Sequence, residues 1–321
     1  MPPLLVIPAM PRTGGTAREA LPRLPALDEL LRLSDAAESD ANWRSGLLRD
    51  LGAAQTLFPE AVIAAGNCAI PPGSGVCLAA PVHAVAGLHR VHLHAAGVLA
   101  LAPDEQSALA EGFAAQFGDA LRLHAAGSQW LLQTPCAVAA ADGDPAEWAG
   151  APLERRAATS AEQRALRRLG AEVEMWLADL PVNALRRSRG RLPVNMLWMW
   201  GGGETPAPAL LPALPTVALH GPQGDAWLAG CARLAGATLQ PLAAQWAPQD
   251  APSAVVLPAP VDAGDLLAIG SAWLQPALDA VASRRIAALR LRIGPRLHHV
   301  RAGRLRRWLR RARPWWQTVG A

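Results

Sequence analysis

Thr216-Val217-Ala218-Leu219, Asp225 to Leu234, Ala254-Val255-Val256-Leu257 and Ala263 to Ala282 follow one another as a short apolar run, a helical spacing, a second apolar run and a second helical spacing. Four consecutive apolar residues suit a buried strand, and the segments between carry apolar side chains three and four apart. Such alternation predicts parallel strands linked by crossing helices, an α/β fold. Leu289-Arg290-Leu291-Arg292-Ile293 then alternates with period two, and Gly294-Pro295 turns the chain toward Leu297 to Val300, which predicts a closing hairpin. Near the start, Leu4-Leu5-Val6-Ile7 is another buried run, ended by Pro8, and Leu27 to Leu33 and Trp43 to Leu51 have helical spacing. The expected architecture is a mixed or mostly parallel sheet flanked by helices, with peripheral β-hairpins.

The middle of the chain reads less uniformly. Val76 to Leu78 predicts a strand, and Leu88 to Leu93 with Val98 to Leu101 predicts a hairpin about Ala95-Ala96-Gly97. Pro103-Asp104-Glu105 opens a helix, with a proline in the first turn and acids at the positive end of the dipole. Leu121 to Leu123 and Trp130 to Leu132 predict a strand pair. Ala139 to Pro152, rich in Ala, Asp, Gly and Pro, predicts a linker between an N-terminal part (1–150) and a C-terminal part (151–321), with one large domain as the alternative. Ser160 to Leu180 predicts a long helix: Ser160 and Gln163 fit a capping box, and Leu166, Leu169, Val173, Trp176, Leu177 and Leu180 form a stripe that Pro181 stops.

Hydrophobic residues make up 51% of the 321 and charged residues 17%, a globular composition that excludes a disordered chain. Leu4 to Ile7 is too short for a signal sequence, and no window approaches the ~18 uninterrupted apolar residues of a membrane span. A cytoplasmic protein without a membrane span is expected. Cys68, Cys77, Cys136 and Cys231 lack the C-x-x-C pairing of zinc or dithiol sites and are expected to be reduced. All 30 basic residues are Arg, and 12 of them fall between Ala280 and Ala321 with no acid, leaving 18 against 26 acids elsewhere. A basic tail on an acidic body follows from that imbalance. Gly303 to Arg313 is predicted as a helix docked by Leu305, Trp308 and Leu309, so nucleic acid is not the expected partner, and a nucleic-acid-binding regulator acting through this tail is the weaker alternative.

Pro181-Val182-Asn183, Arg186, Gly190, Pro193-Val194-Asn195, Leu197-Trp198, Trp200 and Gly201-Gly202-Gly203 stand at set offsets after the long helix. This string resembles the signature of the RpfE-type family of bacterial regulatory proteins. A second element of that family, A-D-P-V-H-L, is partly matched by Ala79-Ala80-Pro81-Val82-His83-Ala84, with Ala80 at its acidic position and Gly87-Leu88-His89 in place of the D-R-D that follows. The resemblance runs over nearly the full length and implies a regulatory or accessory protein. Some members carry a phosphoglycerate-mutase label, which implies the alternative of a divergent cofactor-independent, alkaline-phosphatase-like phosphoryl-transfer enzyme. Leu24 to Leu31 is faintly similar to the T-P-x-L-D-x-L segment of those enzymes. Their two-metal mechanism begins with an Asp at the end of the first strand, where this chain has Pro8-Ala9-Met10. No cofactor is expected, and a divalent metal belongs only to that alternative.

From these residues a ligand-binding group is expected: Asn183, Arg186, Asn195, Trp198, Trp200, Gly201, Gly202, Gly203 and His83. The glycines can present N–H groups to an anion beside an arginine, and the asparagines can orient it. The ligand would be a small anion or a protein partner. Against this stands a structural reading, in which the glycines only permit a positive-φ turn and the asparagines only satisfy backbone groups. His92 and His94 share a strand face, but no Cys or carboxylate sits beside them in sequence, so no metal site is expected there.

Overall fold

A computed structural model of the chain describes residues 2–10, 21–35, 38–40, 42–53, 60–66, 68–88, 90–118, 121–126, 129–137, 143–153, 158–207, 214–248, 252–260, 262–302 and 313–319. It is mixed α/β, and it divides into two compact units. The first comprises Met1–Gln55, Ala213–Gln223 and Ala235–Ala321, and the second Thr56–Pro212 and Gly224–Leu234. The expected boundary between residues 150 and 151 falls inside the second unit. The physical reason for the discontinuity is strand pairing between the two ends of the chain.

In the first unit, β1 (Leu4–Ile7) lies between β9 (Ser253–Val256) and β10 (Ala288–Ile293) and is parallel to both. β8 (Ala218–His220) extends the parallel run beside β9, and β11 (Arg296–Arg301) and the short β2 (Glu38–Ser39) complete the other side antiparallel. The six strands run in the order β2-β11-β10-β1-β9-β8. One face, carrying Leu5, Ile7, Val255, Leu289, Leu291, Ile293 and Val300, packs with Leu27, Leu30 and Leu31 of α1 (Pro25–Leu33) and with the helical stretch 263–282. Burial on both faces explains why these strands read as unbroken apolar runs.

The stretch 263–282 is α8 (Ala263–Ile269), one π-helical turn (Gly270–Leu274) and α9 (Gln275–Ala282). Pro276 has no N–H to give the carbonyl of Ala272 one turn back, and that carbonyl accepts the N–H of Trp246 at 2.8 Å instead. The final helix, α10 (Trp315–Thr318), buries Trp315 in the same core, and its Trp315 N–H donates to Asp28 Oδ1 at 2.6 Å. The predicted helix from Gly303 to Arg313 falls, apart from its last residue, outside the described residues.

The second unit is built on an antiparallel sheet. β3 (Gly75–Ala86) pairs along one edge with β7 (Met196–Glu204) and along the other first with β6 (Gln129–Thr134) and then with β4 (Val91–Val98), while β5 (Arg122–Ala126) pairs with β6. Cys77, Ala79, Leu123, Trp130, Leu132, Leu197 and Met199 form a core with Leu109 and Phe113 of α4 (Pro103–Phe117) and Val173 and Leu177 of α5 (Ala161–Asp179). α3 (Glu60–Ala65) also packs on β3 and β7, and α7 (Ala226–Leu234) packs on α3.

The expected hairpin about Ala95-Ala96-Gly97 is displaced. The Gly87 N–H donates to Arg90 O at 2.8 Å between β3 and β4, and Gly97, at φ +62°, sits inside β4 where the register to β3 shifts. Glycine there marks an irregular strand, not a loop. The expected linker is also structured where described: Gly150 and Ala151 hydrogen-bond the backbone of Leu93, and Pro152 bridges His92. Pro181 stops α5 as expected, and it also opens α6 (Pro181–Ser188), because a proline lacks nothing needed at a first helical position.

His298 lies on the core face of β11, with Nδ1 3.4 Å from Ser34 Oγ. Burial, aided by Arg296, Arg292 and His299, pushes the imidazole down to about 4. An unfolded histidine titrates near 6.5, so between the two pH values the unfolded chain binds more protons than the folded one. Stability from neutral burial is therefore complete above about 6.5 and lost as pH falls toward about 4, by roughly 3 kcal/mol. Urea melts at pH 7 and pH 4 check this: His298→Leu is expected to flatten the pH dependence by about that amount.

Candidate functional site

Asn183 sits in the first turn of α6 and is 1% exposed. Its Nδ2 donates to Leu177 O and to Val194 O, both at 2.7 Å, and its Oδ1 accepts from Val194 N at 2.8 Å. One side chain thus closes the end of α5 onto the residues that lead into β7. Its donors and acceptor are engaged within the fold.

Arg186 follows on the same helix. Its Nε donates to Leu192 O at 2.7 Å, and its Nη1 pairs with Glu105 Oε2 at 2.6 Å. Glu105 in turn accepts the N–H of Ala102 at 2.9 Å, capping α4, and Arg191 lies 3.7 Å from its other oxygen. The arginine ties α6 to the start of α4. Removing either member of a buried pair strands the other charge, which is why such residues are fixed without touching a ligand.

Asn195 pairs with the backbone of Ala84 in both directions, accepting from its N–H at 2.7 Å and donating to its carbonyl at 2.8 Å. The amide acts as one more rung of the β3–β7 ladder. His83 donates from Nδ1 to Pro193 O at 2.9 Å, since a carbonyl can only accept. Its ring meets His94 edge-on at 5.9 Å, and His94 Nδ1 accepts the Ala96 N–H at 3.0 Å. His89 lies outside the described residues. Among the described residues there is no group of three or more His, Cys, Asp and Glu able to hold a metal ion.

The glycines lie elsewhere. β7 continues through them, and Trp200 pairs with Leu78 while Gly203 pairs with Val76, so one extra residue bulges from β7. Gly201, at φ +63°, supplies the bulge, and a Cβ there would stand 3.0 Å from Glu60 Cβ and 3.3 Å from Ala61 N. Glycine is required on both counts, positive φ and close approach of α3. Seven residues of extended chain, about 23 Å, separate Gly201 from the Val194 that Asn183 holds. The anion site expected from the glycines with Asn183 and Arg186 is therefore not assembled: Asn183 and Arg186 build the junction of α5, α6 and β7 instead. Trp198 and Trp200 are buried, Trp198 donating to Gly143 O at 2.8 Å and lying 6.4 Å from the Trp148 ring.

A charge cluster that sequence reasoning missed lies in the first unit. Arg290 and Arg292 project from β10 on the face opposite Leu289, Leu291 and Ile293, and both are buried beneath α2 (Trp43–Asp50). Arg292 donates from Nε to Asp50 Oδ2 at 2.7 Å and from Nη1 to Pro295 O at 2.9 Å, and its Nη2 lies 3.0 Å from Asp40 Oδ2. Gly46 makes room for it, since a Cβ there would fall 2.1 Å from Nη1. Arg290 donates to Asp50 O at 3.0 Å. Burial pushes its guanidinium down, and the opposing pull of Asp50 is offset in part by Arg292. The available signal was the alternation of Leu and Arg in a strand that must also pair on both edges.

No family model and no curated protein matches this chain. Solved structures that resemble it over most of their length include two α/β proteins. A cofactor-independent phosphoglycerate mutase from Thermoplasma acidophilum is 16% identical, with 95% of this chain and 90% of that one covered and a TM-score of 0.40. The PH0037 protein from Pyrococcus horikoshii is 13% identical, with coverage of 94% and 88% and a TM-score of 0.46.

Trp198→Ala is expected to cost roughly 3–5 kcal/mol in urea melts, because it empties a buried indole site. Gly201→Ala is expected to cost more than about 1 kcal/mol through the left-handed backbone alone. Both variants should leave the α6 junction intact, which the chemical shift of the Asn183 side-chain amide would report.

Proposed function

We propose that this chain is a cytoplasmic regulatory or accessory protein of the RpfE type that acts by binding a small anionic ligand or a partner. The observation that carries the reading is the chemistry at the carboxyl ends of the central parallel strands, where open α/β sheets hold their ligands. β1 ends on Pro8, Ala9 and Met10, and β9 on Leu257 and Pro258. A two-metal phosphoryl-transfer centre needs hard oxygen ligands there, and these apolar side chains offer none. The unit instead buries the guanidinium groups of Arg290 and Arg292 under α2 beside Asp40 and Asp50, and guanidinium groups suit recognition of anions more than activation of water.

A second reading, a divergent phosphoryl-transfer enzyme of the mutase type, is favoured by the parallel run β8-β9-β1-β10 with α1 following its central strand. Elemental analysis of the purified chain, with phosphatase and phosphoglycerate mutase assays in Mn and Mg, separates the two. The binding reading expects less than one equivalent of metal and no turnover above buffer. About two bound metal ions with turnover would establish the second.

A further inference from the structure

Arg290 is 8% exposed and uses one of its three nitrogens, Nη1 donating to Asp50 O at 3.0 Å. Nε and Nη2, the edge that can grip two oxygens at once, are buried and have no hydrogen-bond partner among the described residues. The neighbouring carboxylates are committed elsewhere. Asp50 Oδ2 takes Arg292 Nε at 2.7 Å, and Asp40 lies between Arg292 Nη2 at 3.0 Å and Arg49 Nη2 at 2.7 Å. α2, the residues leading into it and β10 thus carry Arg44, Arg49, Arg290 and Arg292 against Asp40 and Asp50.

A buried carboxylate or lysine escapes desolvation by changing its protonation, whereas a guanidinium keeps its charge at any pH a protein survives. Its unpaired N–H groups then cost the full desolvation penalty unless an acceptor reaches them. We propose that the Nε/Nη2 edge of Arg290, on β10 beneath α2, is a binding site for a small oxyanion presenting two oxygens, a carboxylate or a phosphate group. Two parallel N–H···O bonds from a planar fork are the strongest neutralisation available to a guanidinium. The proposal deepens the reading of the chain as a binder of a small anion, and it places that ligand away from the α6 junction.

The test titrates the full-length protein calorimetrically at constant ionic strength, in separate arms, with inorganic phosphate and with formate. Saturable one-to-one binding is expected in at least one arm, and which arm responds identifies the anion. Arg290→Lys keeps the charge but loses the fork and should weaken binding about tenfold or more, while Arg290→Met should abolish it. Absence of binding in both arms, or binding unchanged in the variants, overturns the proposal. If the Met variant does not fold, crystals of the wild-type protein grown with selenate decide the matter. An anomalous peak at the fork supports the site, and a water or protein atom in its place overturns it. Metal content and turnover test the broader reading separately, so either idea can fail alone.

Discussion

β1 is four residues long, and both of its edges are bonded to strands from the far end of the chain. Leu4 aligns with Ala254 on one side and Arg290 on the other, and Ile7 aligns with Ile293. A central strand without charged residues has to be covered on both faces, so α1 and the 263–282 helices are drawn to one side and α2 to the other. The remaining features of the first unit follow from that placement: the docking of Trp315, the burial of His298, and the enclosure of Arg290 and Arg292.

The two units solve the burial of polar groups differently. In the second, Asn183, Arg186 and Asn195 find backbone carbonyls, backbone N–H groups and one carboxylate in fixed positions, and each is engaged within the fold. Such networks stabilise by specifying one arrangement, since every alternative leaves a buried group unpaired. In the first, Arg292 is matched by two aspartates and a carbonyl, while its neighbour two residues earlier hydrogen-bonds one carbonyl alone among the described residues. Identical side chains on the same strand face thus have unequal surroundings. That inequality, more than the count of arginines, distinguishes a structural ion pair from a group able to take up a ligand.

The alternation after residue 216 was legible because burial on both faces of a parallel sheet leaves apolar runs that periodicity detects. Ser160 and Gln163 marked the start of α5 for the same kind of local reason, a cap formed within four residues. What was not legible was the surroundings of individual side chains, which are set by contacts distant in sequence. Asn183, Arg186 and the three glycines read as one site because they are close in the chain, yet an extended strand carries the glycines away from the helix. Gly97 and Gly201 read as turn glycines, and both instead permit irregularities inside strands, at the points where the register to β3 shifts. The unpaired edge of Arg290 had no local signature at all, since its environment is set by α2, some 240 residues earlier.

Because β1 and its partners stand at opposite ends of the chain, the order of synthesis imposes a delay on the first unit. Leu4 to Ile7 are made about 250 residues before β9, an interval of roughly ten seconds to a minute at ordinary rates of elongation. The second unit's sheet, by contrast, is complete in sequence before β9 appears. During that interval four apolar residues have no partner strand, an unprotected segment of the kind that chaperones bind. The strand at the centre of the sheet is thus made first and completed last, the reverse of the order in which the second unit closes its own.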